Sequence, residues 1–344
     1  MKKYSTEMYV IGLALLLAFA ITTLNTPTVF PQETVLFSKA VRGPLPISDP
    51  ESEFWTTLPS IQFPVAGQNI TTPMLLGVPI KQLTVNSANN GTWIAFRIEW
   101  SDATRNVNTS RTEAFRDAVA IMFPILNETK PPFLGMGEAG KPVNVWHWKG
   151  DWQQDIDTGF QDLEHAYPNV QVDYYPFANT TQPNTIPPLT NFSVNFVAGW
   201  AANNPLSNPF KVTPVEDLIA EGFGSLTHQT HQDVIGKGVW KDGRWRVSFA
   251  RPLSTSDGSD VQLRPGQTRF VAFAVWNGEN SEVDGRKSIS NWHTLQVESV
   301  FPEEGILVSR SLWQVAGVGG AFVLSVAILL AVAHDWRRKT RAKQ

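Results

Sequence analysis

The 344-residue sequence predicts an all-β fold, an antiparallel β-sandwich, followed by one membrane helix near the C-terminus. Three observations carry that reading. Apolar residues alternate with polar ones in short runs, turn-forming dipeptides separate the runs, and helical periodicity of useful length is confined to one apolar stretch. The alternating runs are residues 92–100, 117–123, 143–148, 244–249 and 269–276. A period of two sends successive side chains to opposite faces, so each run can bury one face against a second layer.

The turns support the same division. Asn90-Gly91, Gly140 with Pro142, Asp242-Gly243 and Pro265-Gly266 interrupt the runs. Lys241-Asp242-Gly243-Arg244 lies between Val239-Trp240 and Trp245, and Asp-Gly is the pair that a two-residue hairpin favours. Residues 215–220 read as at most a turn or two of helix. From about 155 to 214 the chain is rich in Pro, Asn, Thr and aromatics with weak alternation, which marks a long loop-rich insertion in a domain spanning 33–300.

Both ends of the chain carry membrane signals. Lys2 and Lys3 precede an apolar run over 9–18, and Ala18-Phe19-Ala20 offers a small-residue cleavage site, so residues 1–20 are expected to be a signal peptide. Weak apolar character through 21–24 leaves an uncleaved anchor as the alternative. Residues 313–333 contain no charge and are long enough, at about 1.5 Å per residue, to cross a hydrocarbon core of about 30 Å. A basic tail over 334–344 follows, which places the C-terminus in the cytoplasm and the main domain outside.

Removing the signal and everything after residue 312 leaves a net charge of −8 on the outer domain, which argues against nucleic acid and anionic lipid as partners. The chain has no cysteine. Disulfides, thiolate zinc sites, iron–sulfur clusters and covalently attached c-type haem are thereby excluded, and any cofactor must be held by His, Met, Lys, Tyr or carboxylates. Six Asn-x-Ser/Thr sequons fit external surface loops.

The most informative segment is Phe133-Leu134-Gly135-Met136-Gly137, followed shortly by Val143-Asn144-Val145-Trp146-His147-Trp148. Glycines on both sides would let the backbone approach a flat ligand, and a thioether is a soft ligand suited to haem iron. The alternative is that Met136 fills a gap in the core.

Several phrases, taken in order, resemble the haem-binding gamma subunit of ethylbenzene dehydrogenase and its relatives in the type II dimethyl sulfoxide reductase family. They are Phe54-Trp55 with residues 61–73, Arg116-Asp117-Ala118-Val119-Ala120-Ile121-Met122-Phe123-Pro124, Met136-Gly137 with 143–148, Gly238-Val239-Trp240-Lys241-Asp242-Gly243-Arg244-Trp245 with Arg251-Pro252-Leu253, and Phe273-Ala274-Val275-Trp276 with Lys287-Ser288-Ile289-Ser290-Asn291-Trp292. The resemblance implies a sandwich holding one b-type haem between methionine and lysine axial ligands. It also implies a partner iron–sulfur subunit, a molybdenum catalytic subunit, and an external carrier such as a c-type cytochrome. Nitrate and nitrite oxidoreductases, chlorate and selenate reductases and dimethyl sulfide dehydrogenase are served by such subunits. The C-terminal anchor and the insertion depart from the soluble members.

On that resemblance Met136 and Lys287 become the expected iron ligands. Met122, inside an alternating strand, and Lys237, flanked by Gly236 and Gly238, are their respective rivals. A lysine binds iron only as the neutral amine, so its site must be dry enough to lower its pKa. His147 is expected to line the pocket or to hydrogen-bond a propionate, and Arg251 to pair with one through its two-pronged guanidinium. His228 and His231, three residues apart, have no third ligand at zinc spacing and read as loop histidines.

Two other function classes compete. Thirteen tryptophans on a sandwich could form a stacking platform for sugars, making the protein an anchored carbohydrate-binding module. An enzyme in its own right would need a catalytic constellation, and the acids Asp155 and Asp157 are the nearest approach to one, since no Gly-x-Ser-x-Gly, phosphate loop or zinc-protease helix occurs.

Overall fold

A computed structural model describes residues 34–299, apart from 78, 162, 171–198 and 200–203. The expected signal, membrane span and basic tail lie outside the described residues, as does the middle of the insertion. Among the described residues no helix is long and apolar enough to cross a membrane.

Fourteen strands form one mixed sheet. In chain order they are β1 (Val35–Ala40), β2 (Ile61–Pro64), β3 (Ala66–Gly67), β4 (Gln82–Asn89), β5 (Trp93–Ser101), β6 (Ala118–Pro124), β7 (Val143–Lys149), β8 (Val215–Ala220), β9 (Thr227–His228), β10 (Ile235–Lys241), β11 (Arg244–Pro252), β12 (Thr268–Trp276), β13 (Ser288–Ile289) and β14 (His293–Val297). Between β7 and β8 stand the helix α1 (Gly150–Thr158) and the short turn α2 (Leu163–Ala166). The path across the sheet runs β10-β11-β5-β4-β1-β14-β12-β6-β7-β8-β9.

The five alternating runs form β5, β6, β7, β11 and β12. The Asp-Gly hairpin forms as expected: Lys241 pairs with Arg244, and Asp242 and Gly243 take φ of 53° and 70°. Two expectations are corrected. The sheet is not purely antiparallel, because β1 runs parallel to both β14 and β4; its neighbours are distant in sequence, so no hairpin constrains its direction. Residues 215–220 are a strand, not a helical turn. Val215 reaches the inner core while Leu218 and Ala220 pack on the opposite face, a period of two that the neighbouring β7 enforces through six paired positions.

β12 turns the corner of the fold. Its first half pairs with β14 and its second half with β6, so the sheet bends there and its two wings face each other. Val119, Ile121 and Phe123 of β6, Trp146 and Trp148 of β7, and Val271, Phe273 and Val275 of β12 meet Phe96, Ile98 and Trp100 of β5 and Trp245, Val247 and Phe249 of β11 in one core. Trp148 and Trp245 cross edge to face at 4.9 Å, and Trp100 lies within 6.3 Å of both. Two of the indoles find partners: the Trp245 N–H donates to Asp117 at 2.9 Å and that of Trp146 to Asn144 at 3.0 Å.

Gly236 and Gly238 serve this core. A Cβ on Gly238 would stand 2.3 Å from the Trp148 ring, and one on Gly236 2.5 Å from the Ser248 carbonyl oxygen. Gly238→Ala should therefore destabilise the domain by about 1–3 kcal/mol through overpacking, read as a lower unfolding midpoint in denaturant. An unchanged midpoint would show that Trp148 has room to move.

Candidate functional site

The wing β12-β6-β7-β8 buries side chains on both faces. With the large residues turned inward, its outer face presents Ala272 and Ala274 from β12, Ala118 and Ala120 from β6, and Val145 and His147 from β7. Register aligns them in rows: Ala274, Ala120 and His147 lie side by side across three strands, and Ala272, Met122 and Val145 form the next row. Small side chains in rows make a flat floor. Above it lies a cavity of about 710 Å³, within the roughly 300–1,000 Å³ of ligand sites.

Two segments bring the expected ligands to this cavity. Met136 sits in a tight turn: Gly137 N–H donates to the Phe133 carbonyl at 3.1 Å, and the Met136 carbonyl accepts from Gly222 N–H at 2.8 Å. Met136 has φ of 68°, a left-handed conformation uncommon for a side-chain-bearing residue. The two flanking glycines explain the turn rather than a ligand's approach. Gly137 also has positive φ, with carbonyls within 3.1 Å of where a Cβ would be, and Gly135 leaves room for the rings of Phe133 and Phe223.

Lys287 stands at the edge of β13, its carbonyl accepting from Gln68 N–H at 2.8 Å. Its Nζ lies 3.7 Å from the Met136 Sδ and 5.1 Å from the centre of the Trp276 ring. Burial, opposed only by the nearby Asp284 carboxylate, lowers its pKa to about 8. A thioether and an amine whose pKa is lowered by burial thus meet at one wall of a largely apolar cavity.

His147 lines the same cavity, its ring stacked on Trp276 at 4.7 Å and 26°. Its Nε2 is buried with no hydrogen-bond partner. Burial, reinforced by Lys149, Arg116 and Lys287, holds its pKa well below the ordinary value, so the imidazole is neutral. Met122 also lines the cavity, from the floor.

Lys237 and Arg251 are not brought there. Lys237 pairs with Asp157 at 2.6 Å, and its flanking glycines accommodate Trp148 and the backbone of β11. Arg251 is fully buried elsewhere, 3.0 Å from Asp260, donating to the Asn144 side chain at 3.2 Å and to the Val261 carbonyl, with the Trp146 ring 5.0 Å away. It faces the carboxylates Asp217 and Asp260; a propionate role for it is corrected by that placement. His228 pairs with Glu216 and His231 with Asp257, so the two do not share one site. Asp155 is bound by Lys211 at 2.8 Å. Among the described residues no group of three metal-ligating His or carboxylate side chains assembles.

The sugar platform is absent from the described surface. Of the ten described tryptophans, Trp55, Trp100, Trp146, Trp148, Trp152, Trp245 and Trp276 are buried and Trp93, Trp240 and Trp292 are half-buried. The missed residues are Trp276, which supports both His147 and Lys287, and two cavity guanidiniums, Arg111 and Arg116. Their signal lay in the alanines alternating with large residues in β6 and β12, a strand apolar on both faces and hence covered on both.

The ethylbenzene dehydrogenase family model matches residues 52–288, and the chain belongs to that family. Among its relatives are a Haloferax mediterranei protein named for a respiratory nitrate reductase heme subunit, 26% identical over 81% of this chain and 78% of its own, and the chlorate reductase gamma subunit of Ideonella dechloratans, 24% identical over 72% and 79%. The dimethylsulfide dehydrogenase gamma subunit of Rhodovulum sulfidophilum is 25% identical over 78% and 83%. A solved family 9 carbohydrate-binding module from Caldicellulosiruptor kristjanssonii aligns over 80% of this chain and 100% of its own at 8% identity, with a TM-score of 0.35, too low to carry a conclusion.

The Arg251 cluster generates a prediction. Burial first, then Asp260, raises the Asp217 pKa to about 8, so folding favours its protonated form; that contribution is present below the ordinary carboxylate range and lost as pH rises through about 8. Arg251→Ala leaves both carboxylates without their cation and should cost about 3–5 kcal/mol in denaturant unfolding. The cost should be larger at about pH 9 than at about pH 6, because ionisation is then uncompensated. A loss that does not change with pH would remove Asp217 from this account.

Proposed function

We propose that this chain is the membrane-anchored haem b electron-transfer subunit of a molybdoenzyme complex, passing electrons between an iron–sulfur subunit and an external or membrane carrier such as a c-type cytochrome. The observation that carries the reading is the approach of Lys287 Nζ to Met136 Sδ, 3.7 Å apart on the wall of an apolar cavity. Family membership and the names of the relatives support it. The fit rests on the donor set, on the alanine floor that suits a planar ring, and on the orphaned Nε2 of His147.

A bound haem would supply a one-electron couple. The chain's own residues prepare for it. Burial lowers the cost of the neutral Lys287 amine, and the hydrogen-bonded turn at Met136 holds that residue at the cavity wall. The floor of alanine and valine excludes water, which keeps the amine's charge costly. Met136 and Lys287 would together hold the iron of a bound haem, which would then supply electron transfer and no open position for substrate, the chemistry of a conduit.

Anchoring through residues 313–333, with the main domain on the outer face, completes the proposal; confinement to the membrane surface would raise the effective concentration near membrane carriers. After mild detergent extraction the chain is expected to co-purify with a molybdenum subunit and an iron–sulfur subunit, and pyridine haemochrome should show one haem b. Substrate of the partner should reduce that haem only when both other subunits are present. Reduction by the same substrate in the isolated chain would contradict the conduit reading.

Ligation is tested by substitution. Wild-type protein is expected to be six-coordinate and low-spin, whereas Met136→Ala and Lys287→Ala should each give a high-spin spectrum or lose haem, with Met122→Leu and Lys237→Gln unchanged. A low-spin spectrum that survives either alanine substitution would remove that residue from the axial set.

A further inference from the structure

We propose that Arg111 and Arg116 bind the two carboxylates of the cavity's ligand, and that the first part of the insertion exists to hold those guanidiniums in place. The proposal rests on the haem reading above, since iron protoporphyrin IX is a dicarboxylate. The chain must meet two negative charges at the margin of an otherwise apolar cavity.

One wall of the cavity is the loop joining β5 to β6, from which Thr109, Arg111, Thr112 and Arg116 face it. Arg111 and Arg116 are the guanidiniums among the cavity's lining residues. The remaining charged lining groups are Lys287 and the acids Glu282 and Asp284. Asp284 neighbours Lys287, while Glu282 is turned into its own loop, accepting from Asn277 N–H and the Asn280 side chain, each at 3.0 Å. Neither acid pairs with Arg111 or Arg116.

Helix α1 and the start of the insertion that continues it clamp this loop at five points. Arg116 Nη1 donates to Asp151 Oδ2 at 2.7 Å and Thr109 to the same oxygen at 2.9 Å. Arg105 donates to Gln154 at 2.7 Å, Ser110 to the Gln161 carbonyl at 3.1 Å, and Arg111 Nη2 to the Ala166 carbonyl, with its guanidinium 5.0 Å over the Tyr167 ring. Close contact at the start of α1 requires glycine: a Cβ on Gly150 would stand 2.9 Å from the Asp117 carbonyl oxygen. A guanidinium carries five N–H donors in a rigid fork, so a residue anchored through one nitrogen can still grip a carboxylate. Anchoring removes the rotamer freedom that a long side chain would otherwise lose on binding.

The test compares two ligands. Full-length protein made in haem-limited cells is titrated in detergent with iron protoporphyrin IX and with its dimethyl ester, which keeps the ring and iron but has no carboxylates. Wild-type protein is expected to prefer the diacid by at least about tenfold, the scale of a charge-assisted hydrogen bond. In Arg111→Gln/Arg116→Gln that preference should collapse while the low-spin spectrum persists, and lysine at both positions should restore part of it. A merely structural role would weaken both ligands equally and leave their ratio unchanged, which overturns the proposal, as does a wild-type protein indifferent to esterification. That wild-type comparison stands even where the variants do not fold. Binding of neither compound by wild-type protein would instead defeat the haem reading itself.

Discussion

The constraint on which the structure depends is that β6, β7 and β12 must be covered on both faces. Their inner residues, from Val119 to Phe123, Trp146 and Trp148, and Val271 to Val275, fill the space between the wings. Their outer residues are mostly apolar too, yet among the described residues no second layer of strands lies over them. Covering falls to loops: the Met136 turn, the β5–β6 loop with the insertion behind it, and the segment leading to Lys287. Loops cannot pack as closely as a sheet, so a cavity remains under them. The cavity on the sheet's second face is of the size and lining that a ligand site requires.

That arrangement explains why a lysine can be buried. An ammonium in an apolar site is disfavoured unless a partner carboxylate accompanies it. Around Lys287 lie the Trp276 ring and the Met136 sulfur, and burial, opposed by Asp284, lowers its pKa to about 8. Lys149, only two residues from His147, is the contrast: Glu216 is in direct contact with it and opposes the burial that lowers its pKa. Both amines are deeply buried, but the one on the cavity wall lacks a direct carboxylate contact.

Much of the fold was legible because its strongest signals are local. Alternation placed five strands, and Asp242-Gly243 placed the hairpin, since both depend on residues within a few positions. Register and direction were not legible: β1 is parallel to its neighbours for reasons of topology alone, and residues 215–220 are a strand because β7 lies beside them. Of the site, Met136 and Lys287 were found through resemblance to a family, and they converge. Reasons attached to glycine fared worse. Those beside Met136 shape a turn, and those beside Lys237 make room for Trp148 and the Ser248 backbone, because a glycine records only that something is close.

Arginine shows the same limit from another side. Arg251 and Arg116 look equally suited to a carboxylate in sequence, yet tertiary structure gives them opposite tasks. Arg251 is enclosed with Asp217 and Asp260, so its charge is spent inside the fold, and Asp217 keeps a raised pKa despite it. Arg116 meets a single carboxylate, Asp151, which also takes a hydrogen bond from Thr109. At His147 burial first, and then Lys149, Arg116 and Lys287, disfavour an imidazolium. Because burial dominates at His147, the apolar floor disfavours any uncompensated charge, and an anionic group of a ligand would be met at the guanidinium margin and not on the floor.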